Sequence, residues 1–183
     1  MKLLETKGVS KSYGSVNALN DVSLHFSENK IYGLFGRNGA GKTTLLDIIA
    51  ARIFADQGIV TCLGNDVAKH PKMIADYCCY MPEKHYFPAN LKVKTLLAFA
   101  RAAFSNYSVE TEKRLGEKFG FETDKKYKAL SRGYQSILRI VIGLASNARI
   151  TIFDEPVLGL DAVARDRFYQ QLIVFFEKCA CGV

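Results

Sequence analysis

The segment Gly36-Arg37-Asn38-Gly39-Ala40-Gly41-Lys42-Thr43-Thr44 limits what this chain can fold into more than any other. The pattern Gly36-x-x-x-x-Gly41-Lys42-Thr43 is that of a phosphate-binding loop. Its glycines let the backbone turn tightly, so that successive N–H groups converge on phosphate oxygens. The helix that must follow turns its positive N-terminal end toward the same anion. Such a loop requires a strand before it and a helix after it. Lys30 to Phe35 reads as a compact strand, and Lys42 to Ala51 as a helix with Leu45, Leu46, Ile48 and Ile49 turned inward. The loop is therefore expected to bind ATP, with Lys42 reaching the β- and γ-phosphates and the Thr43 hydroxyl on Mg²⁺. A plain glycine-rich turn before a helix is the alternative, and the strand–loop–helix context weighs against it.

A second segment supplies what the loop lacks. Arg149-Ile150-Thr151-Ile152-Phe153-Asp154-Glu155 is an apolar strand ending in two carboxylates. In P-loop enzymes an Asp at such a strand end shares the Mg²⁺ that the loop hydroxyl touches, which gives Asp154 that role. By strand alternation Glu155 points the other way, where it can act as general base toward a water. Alone, the pair could be a helix cap; beside the loop it complements Thr43 as a metal ligand.

The rest of the chain fits one α/β protein. Its 183 residues suffice for one core-burying domain. No apolar run approaches the ~18–20 residues of a membrane helix, and the longest, Ile137 to Ala145, is interrupted by Arg139. The opening Met1 to Lys7 carries no secretory pattern, so a cytoplasmic location is expected. The net charge of +7 is scattered, with a short basic knot at Lys125 to Lys128, and reads as a solvated surface; no nucleic-acid partner is expected. The five cysteines are too irregularly spaced for a disulfide framework, and Cys179-Ala180-Cys181 lacks the second half of a zinc site. Residues 2–28 read as two strands around the turn Tyr13-Gly14-Ser15, with further strands at Gly58 to Leu63 and Tyr77 to Met81 and a loop from Pro82 to Pro88. Helical patterns then take over at Val93 to Ala103, Glu110 to Phe119 and Ser136 to Ser146, before strand returns at Ile150 to Phe153 and a helix at Ala162 to Phe176.

Three more segments narrow the class. Leu130-Ser131-Arg132-Gly133-Tyr134-Gln135 stands just before a helix, Pro156-Val157-Leu158-Gly159-Leu160-Asp161 follows Glu155 directly, and Tyr13 lies upstream of the loop. Individually they are unremarkable: Ser131 suits a helix cap and Tyr13 a packing position. As a set, with the loop and the acidic strand, they resemble the ATP-binding cassette (ABC) ATPases over essentially the whole chain. The resemblance implies a P-loop NTPase (RecA-like) α/β core with an N-terminal antiparallel β subdomain and an inserted helical subdomain at approximately 89–147, in a single domain spanning 1–183. It implies that Tyr13 stacks on adenine, that Gly36 to Thr44 are the Walker A loop, and that Asp154 and Glu155 are the Walker B pair. Glu83 then holds the Q-loop position near Mg²⁺ and the attacking water, Leu130 to Tyr134 form the signature motif, and Asp161 is the D-loop aspartate. Two cassettes, alike or different, dock head to tail in this family, so that Ser131 and Gly133 of one complete the ATP site of the other.

Departures from the family pattern accompany the likeness. Arg132 and Tyr134 replace a glycine and a glutamine of the signature, and Glu83 replaces a glutamine. An arginine at 132 is strained if the position needs positive φ, or else places a positive charge near the partner's γ-phosphate. The family's switch histidine is expected just past residue 183, since His25, His70 and His85 lie in the wrong segments. The chain thus reads as a C-terminally incomplete cassette, one expected to bind nucleotide but hydrolyse it poorly, and to be sparingly soluble. The resemblance implies the ATPase subunit of a bacterial transporter, held at the inner face of the membrane by a separate permease that Glu83 to Ala98 faces, with drug or peptide exporters the nearest subclass. The alternatives are a soluble cassette ATPase outside transport and a hydrolysis-impaired nucleotide-binding fragment.

Overall fold

The computed structural model describes residues 2–83, 87–120 and 122–180, with side chains from 3 to 175 within those ranges. The tail from residue 176 onward, with Cys179 and Cys181, lies outside the described side chains, as does His85 in the loop after Pro82. The chain forms two compact units, residues 1–77 with 178–183, and residues 78–177.

In the first unit, β1 (Lys2–Tyr13) turns at Gly14, φ +59°, into β2 (Val16–Ser27). Later come β3 (Gln57–Cys62) and the short β4 (Asn65–Asp66), in the antiparallel order β2-β1-β3-β4. Alternation in β1 buries Leu4 and Thr6, and a register shift between Thr6 and Val9 restores the inward phase at Val9, which is fully buried. The Thr6 hydroxyl serves the irregular ladder there, donating to the Val22 carbonyl at 3.2 Å and accepting from the Leu24 N–H at 2.9 Å. Gly58 is held at φ +85°, where an added Cβ would lie 2.4 Å from the Gly8 oxygen. α1 (Lys42–Ile49) buries Leu45, Ile48 and Ile49, while Leu46 is half-buried; it stops two residues before the expected end, where Ala51 takes φ +55°. α2 (Pro71–Tyr77) and β4 were not foreseen; both are too short to leave a periodic signature.

One expected element is absent. Residues 30–35 do not form a strand: they pair with no ladder among the described residues, and Ile31, Tyr32, Leu34 and Phe35 are exposed, Phe35 to 93%. Apolar composition proposes a strand, but backbone pairing makes one. Tyr32 is instead tied locally, its hydroxyl accepting from the Ser27 N–H at 2.8 Å and its ring standing edge-on to Phe26.

In the second unit, β5 (Cys78–Met81) and β6 (Ile150–Phe153) pair in parallel, Cys78 opposite Ile150 and Met81 opposite Phe153. Between them lie α3 (Val93–Ala103), α4 (Val109–Phe119), a single 3₁₀ turn at Tyr127–Ala129, and α5 (Arg132–Ala145); α6 (Ala162–Ala180) follows β6. α5 is buried continuously from Ser136 to Ala145 because two cores share it. Leu138 and Ile142 pack with Leu96, Leu97 and Met81, whereas Ile137, Ile140, Val141 and Leu144 pack with Leu115, Leu160 and Phe168. Arg101 and the buried Glu112 join α3 to α4 through paired hydrogen bonds of 2.9 and 2.5 Å. Burial pushes the Cys79 thiol up to about 11.

Gly143 lets α5 lie against β6. A Cβ there would meet the Phe153 ring at 2.5 Å and Met81 Cγ at 3.5 Å. Gly143→Val is expected to cost roughly 1–3 kcal/mol through overpacking, read as a lowered urea midpoint with unchanged slope.

Candidate functional site

The loop from Gly36 to Thr44 lies in the first unit. Gly39 and Gly41 both sit at φ +81°, a conformation that costs a side chain energy and glycine little. At Gly41 the requirement is also steric, since a Cβ would stand 2.2 Å from the Ala18 oxygen. A turn closed by Ala40 N–H donating to the Arg37 oxygen, 3.1 Å, brings the chain round into α1. Lys42 folds back over the loop, its Nζ donating to the Gly36 oxygen at 2.9 Å and the Arg37 oxygen at 3.1 Å. α1 begins without a side-chain cap and without an acidic residue in its first turn, so its N-terminal amides and dipole are left to an anion. Residues 36–40 are exposed, as is Thr43, and Lys42 and Thr44 are half-buried. Tyr13, at the end of β1, is half exposed, with Lys11 Nζ 5.7 Å from its ring centroid.

The other predicted residues lie in the second unit, and most of them converge. Asp154 follows β6 directly; it is 4% exposed, and its N–H donates to the Met81 oxygen at 2.9 Å. Glu155 is exposed and takes φ +49°. The two carboxylates differ in exposure, and strand alternation does not account for it, because β6 ends at Phe153 and Glu155 has a left-handed backbone. The Glu155 oxygen accepts from the Leu158 N–H at 3.2 Å, closing a turn that leads to Gly159, φ +81°.

Arg132 to Gln135 belong to the first turns of α5 and not to the loop before it, and Ser131 stands at its N-cap. Ser131 caps the helix, accepting from the Tyr134 N–H at 3.2 Å, and Arg132 is its first residue in ordinary helical geometry. Position 132 does not take positive φ, so the condition under which arginine would be strained there is not met. Gly133 has the Gly159 oxygen 2.9 Å from where its Cβ would be, so the turn after Glu155 lies directly on the start of α5. Asp161 caps α6, its Oδ1 accepting from the Ala164 N–H at 2.7 Å. Glu83, exposed at the end of β5, offers its backbone oxygen to Arg139 Nη1 at 3.3 Å.

Arg139 also belongs to this cluster. It is 3% exposed inside α5, and Nη1 also donates to the Pro82 oxygen at 2.5 Å while Nη2 donates to Ser136 Oγ at 2.9 Å. Burial pushes its guanidinium below the usual arginine range, opposed by Tyr127 and by the carboxylates of Glu83 and Asp154. The available sequence signal was a lone cation inside an apolar helical run.

Asp154 and Glu83 in the second unit, like Thr43 in the first, carry only oxygen donors, the kind a hard cation takes, and among the described residues no cluster of His, Cys, Asp and Glu forms a dedicated metal cage. Among those residues, too, no helix is long and apolar enough to cross a membrane.

Comparison with known proteins places this geometry. A family model described as "ABC transporter" matches residues 19–158. Over 171 residues the chain is 34% identical to the ABC transporter ATP-binding protein YtrB of Bacillus subtilis (strain 168), covering 93% of this chain and 58% of that protein. Over 166 residues it is 31% identical to the bacitracin transport ATP-binding protein BcrA of Enterococcus faecalis, covering 88% and 53%. The chain therefore spans little more than half the length of these two relatives. A solved ATP-binding subunit of an ABC transporter superposes with a TM-score of 0.85 at 26% identity, over 96% of this chain and 75% of that one. A cassette dimer bound to ADP and Pi superposes at 0.81 over 96% and 84%, with 22% identity, a likeness of fold. By the family-model match and these relatives, the chain belongs to the ABC transporter family.

Proposed function

We propose that the chain is the ATP-binding and ATP-hydrolysing part of a bacterial transporter, and that it works with a second cassette and a separate membrane-spanning permease. The observation that carries this reading is the loop Gly36 to Thr44, with its two left-handed glycines, its folded-back Lys42 and the uncapped start of α1. Lys42 exchanges the Gly36 and Arg37 carbonyls for the β- and γ-phosphates, a stronger charge-assisted contact. The loop amides and the end of α1 hold the remaining phosphate oxygens, and Tyr13 offers its ring face to adenine. Thr43, Asp154 and Glu83 would hold Mg²⁺, which would offset phosphate charge when bound with ATP. Glu155 orients a water and accepts its proton. Ser131 and Gly133 of a second cassette, with Asp161 beside them, close the site from the other side, so ATP binding favours the dimer and product release opens it.

The names of two relatives, a bacitracin transport ATP-binding protein and a probable multidrug ABC transporter ATP-binding protein, support a drug-like or peptide cargo. Docking on a permease, through the segment from Glu83 to Ala98, would place the chain at the inner face of the membrane. Co-expression with a multi-span protein encoded beside it is the test. The chain should move to the membrane fraction and return to the soluble fraction when residues 87–98 are replaced. A chain that stays soluble with every such partner, yet hydrolyses ATP, is a cassette acting outside transport.

A further inference from the structure

Three segments with proposed roles at the nucleotide meet on one buried pair of side chains. Arg139 Nη1 holds the backbone oxygens of Pro82 and Glu83, at 2.5 and 3.3 Å. Its Nη2 donates to Ser136 Oγ at 2.9 Å, and the Ser136 hydroxyl donates to the Leu158 oxygen at 2.7 Å. The Leu158 N–H in turn closes the turn on the Glu155 oxygen at 3.2 Å. Ser136 is 1% exposed and Arg139 3%, and the bond between them is buried. The Arg139 Nε–H has no partner, which makes this cation a costly one to bury for packing alone. A leucine or methionine would fill the same helical position without that cost.

We propose that Arg139 and Ser136 are positioning residues: they set the backbone at Glu83 and the turn carrying Glu155 as one unit, so a displacement at either carboxylate is felt at the other. The proposal rests on the nucleotide reading above. Two features make it specific. Glu155 is a non-glycine residue at φ +49°, a conformation that persists only where its surroundings over-determine it, and Ser136 anchors the other end of its turn. Glu83 brings a carboxylate where the family carries a neutral glutamine, and the Arg139 cation lies beneath its peptide. Arg139 and Ser136 form a connected set of hydrogen bonds, which gives the coupling a physical path rather than mere proximity.

The test compares the parent chain with Ser136→Ala, Ser136→Thr and Arg139→Lys, by hydrogen exchange and single-turnover ATP hydrolysis. Ser136→Ala removes the bond to Leu158 and the one from Arg139 Nη2, and leaves Arg139 Nη1 on the Pro82 and Glu83 oxygens. Without nucleotide it should speed exchange of the 158–160 amides about tenfold and leave the 79–83 amides unchanged. Its MgATP affinity should match the parent's, while the single-turnover rate falls about tenfold. Ser136→Thr keeps the hydroxyl and should restore both. Arg139→Lys keeps the charge but has one point of contact, and should loosen 79–83 and 158–160 together. Parental exchange at 158–160 in Ser136→Ala overturns the proposal, as does a loss of rate that Ser136→Thr does not restore. A parent chain that binds no MgATP contradicts the nucleotide reading instead, and the nucleotide-free exchange still decides the relay.

Discussion

Lys42→Ala is expected to weaken MgATP binding about 100-fold or more. The ammonium donates to the loop oxygens at Gly36 and Arg37, and in the proposed complex it turns to the β- and γ-phosphates instead. A hydrogen bond to a charged group is worth about 1.5–3 kcal/mol, and Lys42 has two acceptors to exchange for phosphate oxygens. The fold should hardly notice. Lys42 is half-buried at the first position of α1, and its two bonds go to exposed loop residues, so a stability change within ~1 kcal/mol is expected. Titration calorimetry with MgATP, paired with thermal melting, separates the effects. Affinity within threefold of the parent would show that phosphate binds elsewhere.

Glu155→Gln should leave MgATP binding intact and lower turnover by roughly 10²–10⁴-fold. The substitution keeps the shape and removes only the ability to take a proton, which is the scale of general-base catalysis. The structure adds a second expectation, because Glu155 is held at φ +49°. Glu155→Gly should abolish turnover as fully as the glutamine variant, yet stabilise the chain by up to ~1 kcal/mol by relieving the left-handed strain. Stabilisation by glycine together with lost activity identifies strain kept for function. Loss of stability in Glu155→Gly, or turnover in Glu155→Gln near the parental rate, contradicts the assignment.

The sequence was most legible where chemistry and local geometry demand the same residues. Gly39 and Gly41 had to be glycines for backbone reasons, and both hold φ +81°. β6 and α3 were found with their boundaries intact, because apolar runs bounded by charge or helical periodicity leave little choice. The strand expected at 30–35 is missing because pairing is a property of neighbours, and nothing in Ile31 to Phe35 encodes a partner. The start of α5 was placed too late, at Ser136, because Arg132 and Gly133 hide the apolar period; Ser131 was already a sound cap. Arg139 shows a different shortfall. It was visible as the one interruption of the run Ile137 to Ala145, and a cation inside a helix buried on every side has to be satisfied by something. Its partners, the carbonyls of Pro82 and Glu83, are backbone groups and leave no trace in side-chain identity. The left-handed turn at Glu155 is hidden likewise, since a glutamate before Pro156 gives no hint of positive φ.

Hydrogen exchange of the unsubstituted chain, with and without one equivalent of MgATP, tests most directly whether nucleotide sits where the residues place it. Slowed exchange confined chiefly to the amides of Gly39 to Leu45, with none in the same peptide of Lys42→Ala, is the expected result. Unchanged exchange across Gly36 to Thr44 at saturating MgATP, or protection only in other segments, would contradict the assignment of this loop as the nucleotide site.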